Sequence, residues 1–213
     1  MLNTSSSDPM HNFDLAAPAA YFEAMFSDTE DPWEFRTRWY EARKRALTLA
    51  NLPAARYASA YEPGCANGEL AADLALRCDQ LLVSDGSARA VEAARKRLAH
   101  LQNVRVLQAW LPADWPAEKF DLIVVSELAY YMGAADLAQL VEKISTSLLA
   151  GGTVLACHWR KPIAGCTFTG DEVHAQLHKL LGMPHTSRTE DADMLIDVWC
   201  MDARSVAERE LIP

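Results

Sequence analysis

Glu62, Gly64 and Gly68 fall in the stretch Tyr61-Glu62-Pro63-Gly64-Cys65-Ala66-Asn67-Gly68, where a short apolar run meets the start of an amphipathic one. Two glycines bracketing a turn let backbone approach a ligand closely, because neither carries a side chain. The turn is not a dinucleotide fingerprint, since Ala66 stands where the middle glycine belongs. It is not a phosphate loop either, since Glu69-Leu70 follows the last glycine where Lys-Ser/Thr is needed. Asp85 closes a second apolar run, 23 residues after Glu62. A carboxylate at a strand end accepts hydrogen bonds from both hydroxyls of a ribose. Glu62, Gly64, Cys65, Gly68, Asp85 and Gly86 therefore read as one side of a nucleoside site.

Three further groups follow apolar runs in the same way. Gln108-Ala109-Trp110 supplies an amide and an aromatic face suited to a purine ring. Ser126 and Glu127 come directly after Phe120–Val125, and Tyr130-Tyr131 offers a π-face to a cation, although successive side chains cannot both face one cleft. His158 ends a later run and has the chemistry of a base or of a hydrogen-bond partner for an acceptor. His174 and His178 share the spacing of a metalloprotease helix, but Ala175 replaces its glutamate, so no metal site is expected. There is no G-x-S-x-G elbow.

The elements that must position these residues alternate. Apolar strands are expected at 58–62, 81–85, 104–108, 120–126, 153–158 and 195–201, with 184–190 as an antiparallel partner of the last. Helices are expected at 69–77, 87–101, 136–149 (stopped by Gly151-Gly152) and 171–181. Strands alternating with helices predict a doubly wound α/β sheet that binds ligands at the carboxyl ends of its strands. Ahead of it, helical spacing of Tyr21, Phe22, Met25 and Phe26 predicts a helix over 14–26. Asp31-Pro32 reads as the entry of a second helix running from Trp33 to Ala50. Its aromatics and its five cations between Arg36 and Arg45 suit either a packing helix with a solvated face or a cover over a pocket. Residues 1–13 read as a Ser-rich disordered tail, and 14–213 as a single domain.

With 213 residues, half of them hydrophobic, the chain is long enough for one sizeable core. Its formal net charge of −9 disfavours nucleic acid or an anionic membrane as main partner. Five scattered cysteines without a CxxC pair suit buried thiols in a reducing compartment. No apolar run nears the roughly 20 residues of a membrane span, and the N-terminus does not resemble a signal peptide. A cytoplasmic protein is expected.

The acid before the first glycine, with three residues between glycines, resembles the S-adenosylmethionine (SAM) loop of class I methyltransferases. The chain as a whole, from about Tyr21 to Asp202, resembles the NodS-like family of that class. Asp31-Pro32-Trp33, Trp39-Tyr40-Glu41 with Lys44, Glu62-Pro63-Gly64-Cys65 with Gly68, Arg77-Cys78-Asp79 and Phe120–Leu128 with Tyr130-Tyr131 carry the resemblance. It implies a Rossmann-like, mostly parallel seven-stranded sheet with helices on both faces and N-terminal cap helices over 14–50. It implies SAM as methyl donor, S-adenosylhomocysteine (SAH) as product, and a small-molecule acceptor, foremost the amine of an amino sugar or oligosaccharide. Gly86 departs from the family, where a larger residue commonly follows the acid. Glu62, Gly64, Cys65, Gly68, Asp85, Gly86, Gln108, Ala109, Trp110, Ser126, Trp33 and Tyr40 are then expected at the cofactor, and Glu127, Tyr130 and His158 at the chemistry. In-line displacement at the methyl group needs alignment more than a strong base when the acceptor is an amine. O-methylation, a SAM-binding module without catalysis, and a nucleotide-dependent oxidoreductase are the alternatives.

Overall fold

Residues 13–211 are described by a computed structural model. Within them, seven strands form one sheet: β1 (Tyr57–Pro63), β2 (Cys78–Asp85), β3 (Val104–Gln108), β4 (Phe120–Ser126), β5 (Leu148–Trp159), β6 (His185–Glu190) and β7 (Met194–Cys200). Their order is β3-β2-β1-β4-β5-β7-β6. Only β7 runs antiparallel, to β5 on one side and to β6 on the other. The order reverses between β1 and β4, and this reversal opens a crevice at the carboxyl ends of β1, β2 and β4.

The middle of β4, Leu122 to Val125, is wholly apolar because both faces of the sheet are covered there. Along β4, Ile123 and Val125 pack into one core, with Leu140, Leu177 and Trp199. Leu122 and Val124 pack into the other, with Leu74, Leu81 and Ile196. All four β4 side chains are excluded from solvent, each worth roughly 1.5–3 kcal/mol at most. The covering helices are α3 (Glu69–Leu74), α4 (Ala88–Leu98), α5 (Ala134–Ser147) and α6 (Gly170–Leu181). Ser87 caps α4 by accepting from Ala90 N–H at 3.2 Å. Thr169 and Glu172 form a reciprocal capping box on α6.

Ahead of the sheet lie α1 (Pro18–Met25) and α2 (Trp39–Ala50). The helix expected from Trp33 starts six residues later. Asp31 does cap, accepting from Phe35 and Arg36 N–H at 2.8 and 3.1 Å, but it caps an irregular turn. Glu34 there adopts φ 58°, which ends any helix. Asn67 also donates to Asp31 Oδ1 at 2.9 Å, so the carboxylate is committed to the glycine loop as well. Gly151-Gly152 does not stop α5, which ends at Ser147. The glycines instead carry an irregularity inside β5, where its register with β4 slips between Phe120 and Leu122. Of the tail expected over 1–13, residues 1–12 lie outside the described residues. Phe13 is buried, its ring 4.9 Å from that of Tyr131. Among the described residues no helix is long and apolar enough to cross a membrane.

Candidate active site

A cavity of about 570 Å³ occupies the crevice between the sheet and the α1–α2 region. Its first half is built on the glycine loop. Gly64 and Cys65 N–H donate to Ser84 O at 2.7 and 2.9 Å, folding the loop back over β2. Gly64 has φ 75°, and a Cβ there would press on Leu128. Asp85, at the end of β2, accepts from Ala66 N–H at 2.9 Å and from Ser87 N–H at 3.0 Å. Removal from solvent pushes its carboxyl up to about 6, against the pull of these backbone donors.

Glu62 is only 3% exposed, lines the cavity, and its Oε2 has no hydrogen-bond partner. Burial, and after it the Asp85 charge, pushes its carboxyl up to about 8. A buried carboxylate oxygen without a donor is costly, and a cation in the cavity relieves it. Gly86 explains the departure from the family pattern. A Cβ at this position would lie 1.9 Å from Cε3 of Trp110, so the indole occupies the space a larger side chain would take. Trp110 thereby gives this half of the cavity a flat aromatic wall, with Ala109 beside it.

The second half lies at the ends of β4 and β5 and centres on Glu127. Its backbone sits at φ 52°, an uncommon conformation for a residue with a Cβ. Three donors hold the carboxylate: Lys44 Nζ to Oε1 at 3.0 Å, and the Tyr130 hydroxyl and Trp159 N–H (3.0 Å) to Oε2. Lys44 is itself buried, pairs with Glu41 at 2.9 Å, and lies 5.3 Å from the Tyr40 ring centre. Burial alone would lower its pKa, but Glu127 and then Glu41 hold it above the ordinary value, so it stays an ammonium. Burial, then Glu127, raises the Tyr130 hydroxyl well above the usual phenol range, so it remains a donor.

Glu62, Gly64, Cys65, Asp85, Gly86, Ala109, Trp110, Ser126, Trp33, Glu127, Tyr130 and Tyr40 all line this cavity. Tyr40 packs against Trp159, their ring centres 5.4 Å apart, beside Lys44 and so near Glu127. Gly68, Gln108 and His158 are not in the wall. Gly68 supplies the left-handed N-cap of α3 (φ 82°). Gln108 Nε2 donates to Gly86 O at 3.2 Å from an exposed position. His158 is fully buried behind the site. Its Nε2 accepts from Ala129 N–H at 3.2 Å, which places its proton on Nδ1, facing His174 Nε2 at 3.0 Å. His174 in turn donates to Asp197 at 2.7 Å. Burial, His174 and Lys44 lower the His158 pKa well below the ordinary value. It is a neutral support for the Ala129–Tyr131 turn, not a base facing an acceptor.

Lys44, Glu41, Asn67, Trp159 and Asp193 join the wall without having been singled out as site residues. The spacing of Tyr40, Glu41 and Lys44 on one helical stripe was the available signal for the first two. Nothing local marks Asn67 or Asp193.

The family model described as Nodulation protein S (NodS) matches residues 24–179. The Nodulation protein S of Rhizobium tropici is 32% identical over 129 residues, covering 58% of this chain and 52% of that protein. The chain thus spans about half the length of the curated relatives it matches. The crystal structure of a candidate methyltransferase from Pseudomonas syringae is 52% identical, with TM-score 0.69, covering 76% of this chain and 99% of that one. The N-methyltransferase NodS of Bradyrhizobium japonicum WM9, in complex with SAH, has TM-score 0.77 at 23% identity, covering 85% and 97%. That likeness is one of fold.

Proposed function

The chain belongs to the nodulation protein S (NodS) family, and we propose that it is a SAM-dependent N-methyltransferase of a small acceptor amine. The observation that carries the reading is a cavity with two differently equipped ends. One end has the unpartnered Glu62 Oε2, the Asp85 carboxylate and the Trp110 face; the other has a rigidly held Glu127 among aromatic rings. Glu62 matches the ammonium of SAM, Asp85 its ribose hydroxyls, and Trp110 its adenine. Bound there, SAM supplies a methyl group on a positively charged sulfur.

What the chain's own residues do follows from their hydrogen bonds. A carboxylate offers about four lone-pair positions. Lys44, Tyr130 and Trp159 fill three at Glu127, leaving one for an N–H of the acceptor. That single bond orients the amine, whose own lone pair stays free to attack. The fixed Glu127 charge and the aromatic faces favour the positive charge that grows on nitrogen. Three of the Glu127 positions are already taken by donors, and His158 does not reach the cavity. An acceptor that sheds its proton to water beforehand therefore fits better than an alcohol. The rings of Tyr40 and Trp159 at the Glu127 end also suit the apolar face of a sugar, which favours an amino sugar or an amine-bearing oligosaccharide. The elaborate hold on Glu127 favours catalysis over a purely regulatory SAM-binding module.

The test is turnover of SAM carrying a carbon-13 methyl group with glucosamine, a partly deacetylated chitooligosaccharide, and simple phenols, read by NMR. N-methyl products are expected. Product from oxygen acceptors alone would overturn the amine assignment.

A further inference from the structure

The segment from Glu127 to Tyr131 is tied to three consecutive residues of β5. Cys157 O accepts from Glu127 N–H at 2.9 Å, and His158 Nε2 accepts from Ala129 N–H at 3.2 Å. Trp159 N–H donates to Glu127 Oε2 at 3.0 Å. The first and third ties use the backbone of β5 and do not depend on protonation there. The middle tie does. An imidazole nitrogen accepts only while it is bare, so this bond exists in one neutral tautomer of His158 and is lost in the other and in the imidazolium. Ala129–Tyr131 forms a single turn, and the Tyr130 hydroxyl on it donates to Glu127. Behind His158, a row of buried groups decides which nitrogen is bare. His158 Nδ1 faces His174 Nε2 at 3.0 Å, and His174 Nδ1 faces Asp197 Oδ2 at 2.7 Å. Asp197 Oδ1 takes His185 Nε2 at 2.7 Å. Burial would raise the Asp197 carboxyl, but His174 and then His185 hold it below the ordinary value, so it is a carboxylate and only accepts. His158, His174 and Asp197 are each at most 2% exposed, which leaves water no part in the row.

We propose that Asp197 and His174 are positioning residues for Glu127: they fix the tautomer of His158, which docks the Ala129–Tyr131 turn and so aims the Glu127 carboxylate. This rests on the amine reading above and goes beyond it. The direction of every bond follows from the carboxylate. Asp197 accepts, so His174 carries its proton on Nδ1 and presents a bare Nε2. His158 must then place its own proton on Nδ1, and its bare Nε2 is left for Ala129 N–H. A carboxylate that sets an imidazole's tautomer is a recurrent device where a ring must be aimed. Here the device is two rings long, and the last ring holds a backbone N–H instead of a substrate. It also accounts for the metalloprotease-like spacing of His174 and His178. His174 turns inward to Asp197, whereas His178 Nδ1 accepts from Trp199 Nε1 at 3.2 Å.

The experiment has two arms on the whole protein. In the first, nitrogen-15 NMR of the histidine rings is recorded on the ligand-free wild type near neutral pH. His158 and His174 are both expected to be neutral, each with its proton on Nδ1. A proton on Nε2 of either ring, or a mixture of tautomers, overturns the proposal, and this arm needs no variant to fold. In the second arm, initial rates are measured with SAM and glucosamine. His158→Gln supplies an oxygen that accepts from Ala129 N–H with no tautomer to fix. His174→Phe is therefore expected to lower kcat at least about fivefold with His158 present and less than about twofold in the His158→Gln background. The KM for SAM is expected to stay within about twofold throughout, because the glycine loop makes none of these bonds. An equal cost of His174→Phe in both backgrounds, or a greater cost of His158→Gln than of His174→Phe, overturns the proposal, since the rings would then be core packing. If the wild type methylates no amine, the amine reading falls and the proposal falls with it, whatever the tautomers.

Discussion

Burial pushes the Glu62 carboxyl up to about 8 in a wall where its Oε2 has no donor. The sign of the consequence follows from linkage. The unfolded chain ionises Glu62 near the ordinary 4.5, whereas the ligand-free folded protein keeps the proton until about 8. The ligand-free fold therefore loses stability from Glu62 as pH rises between those values, at about 1.4 kcal/mol per unit, and the loss levels off above the upper one. An ammonium requires the ionised form, so SAH affinity should climb toward pH 8 and then flatten. Asp85, at about 6, adds to the slope at the acidic end. Glu62→Gln should remove the Glu62 share of both trends and leave the Asp85 slope at the acidic end. At pH 8 it should raise the melting temperature of the ligand-free protein by several degrees, corresponding to about 2 kcal/mol, while weakening SAH. Melting curves and calorimetry across pH 6–9 check this, and a variant with unchanged pH dependence would rule Glu62 out as the ammonium's partner. Glu62 and Asp85 were legible because each follows an apolar run at a chemically meaningful spacing. His158 satisfied the same pattern and yet lies behind the site, its ring turned between the Ala129 N–H of the turn after β4 and His174 on α6.

Among the elements, every strand was readable, most sharply β4 with its apolar run, although β2 begins three and β5 five residues before the expected bounds. The region between Trp33 and Trp39 was not. Asp31-Pro32 is a sound helix entry by local chemistry, but Asp31 is recruited by Asn67, 36 residues away. Likewise Gly151-Gly152 reads as a helix stop, although α5 ends at Ser147 and the glycines fall inside a strand. Gly86 shows how one element junction substitutes for another. With β2 ending in Asp85-Gly86, the indole from the end of β3 packs directly on backbone. Gly86→Ala should therefore displace Trp110, destabilising the fold by about 1–3 kcal/mol and weakening SAH. Adding Trp110→Ala should restore stability without restoring SAH affinity. Urea unfolding and calorimetry of the single and double variants separate the two effects. If Gly86→Ala alone is neutral in both, Trp110 is not the wall of the nucleoside site.

At the scale of the whole molecule, the reversal of strand order between β1 and β4 brings Glu62, Asp85 and Glu127 to the rim of one cavity, though they are dispersed in sequence. The α2 helix is a fixed wall rather than a loose cover. Arg43 pairs with Asp191, Lys44 with Glu127, and Asn51 Oδ1 accepts from Ser187 and Thr189 on the edge strand β6. This anchoring joins residues more than 80 positions apart, beyond any local pattern. It fixes the Glu127 end, and Arg45 extends the hold by donating to Phe35 O at 2.7 Å. The central claim is that this cavity is a SAM site read by Asp85, and titrating SAH into the protein by calorimetry tests it most directly. Saturable binding in the micromolar range or tighter is expected, weakened at least about tenfold in Asp85→Ala, a loss of roughly 1.4 kcal/mol. The absence of saturable heat, or equal affinity in Asp85→Ala, would contradict it.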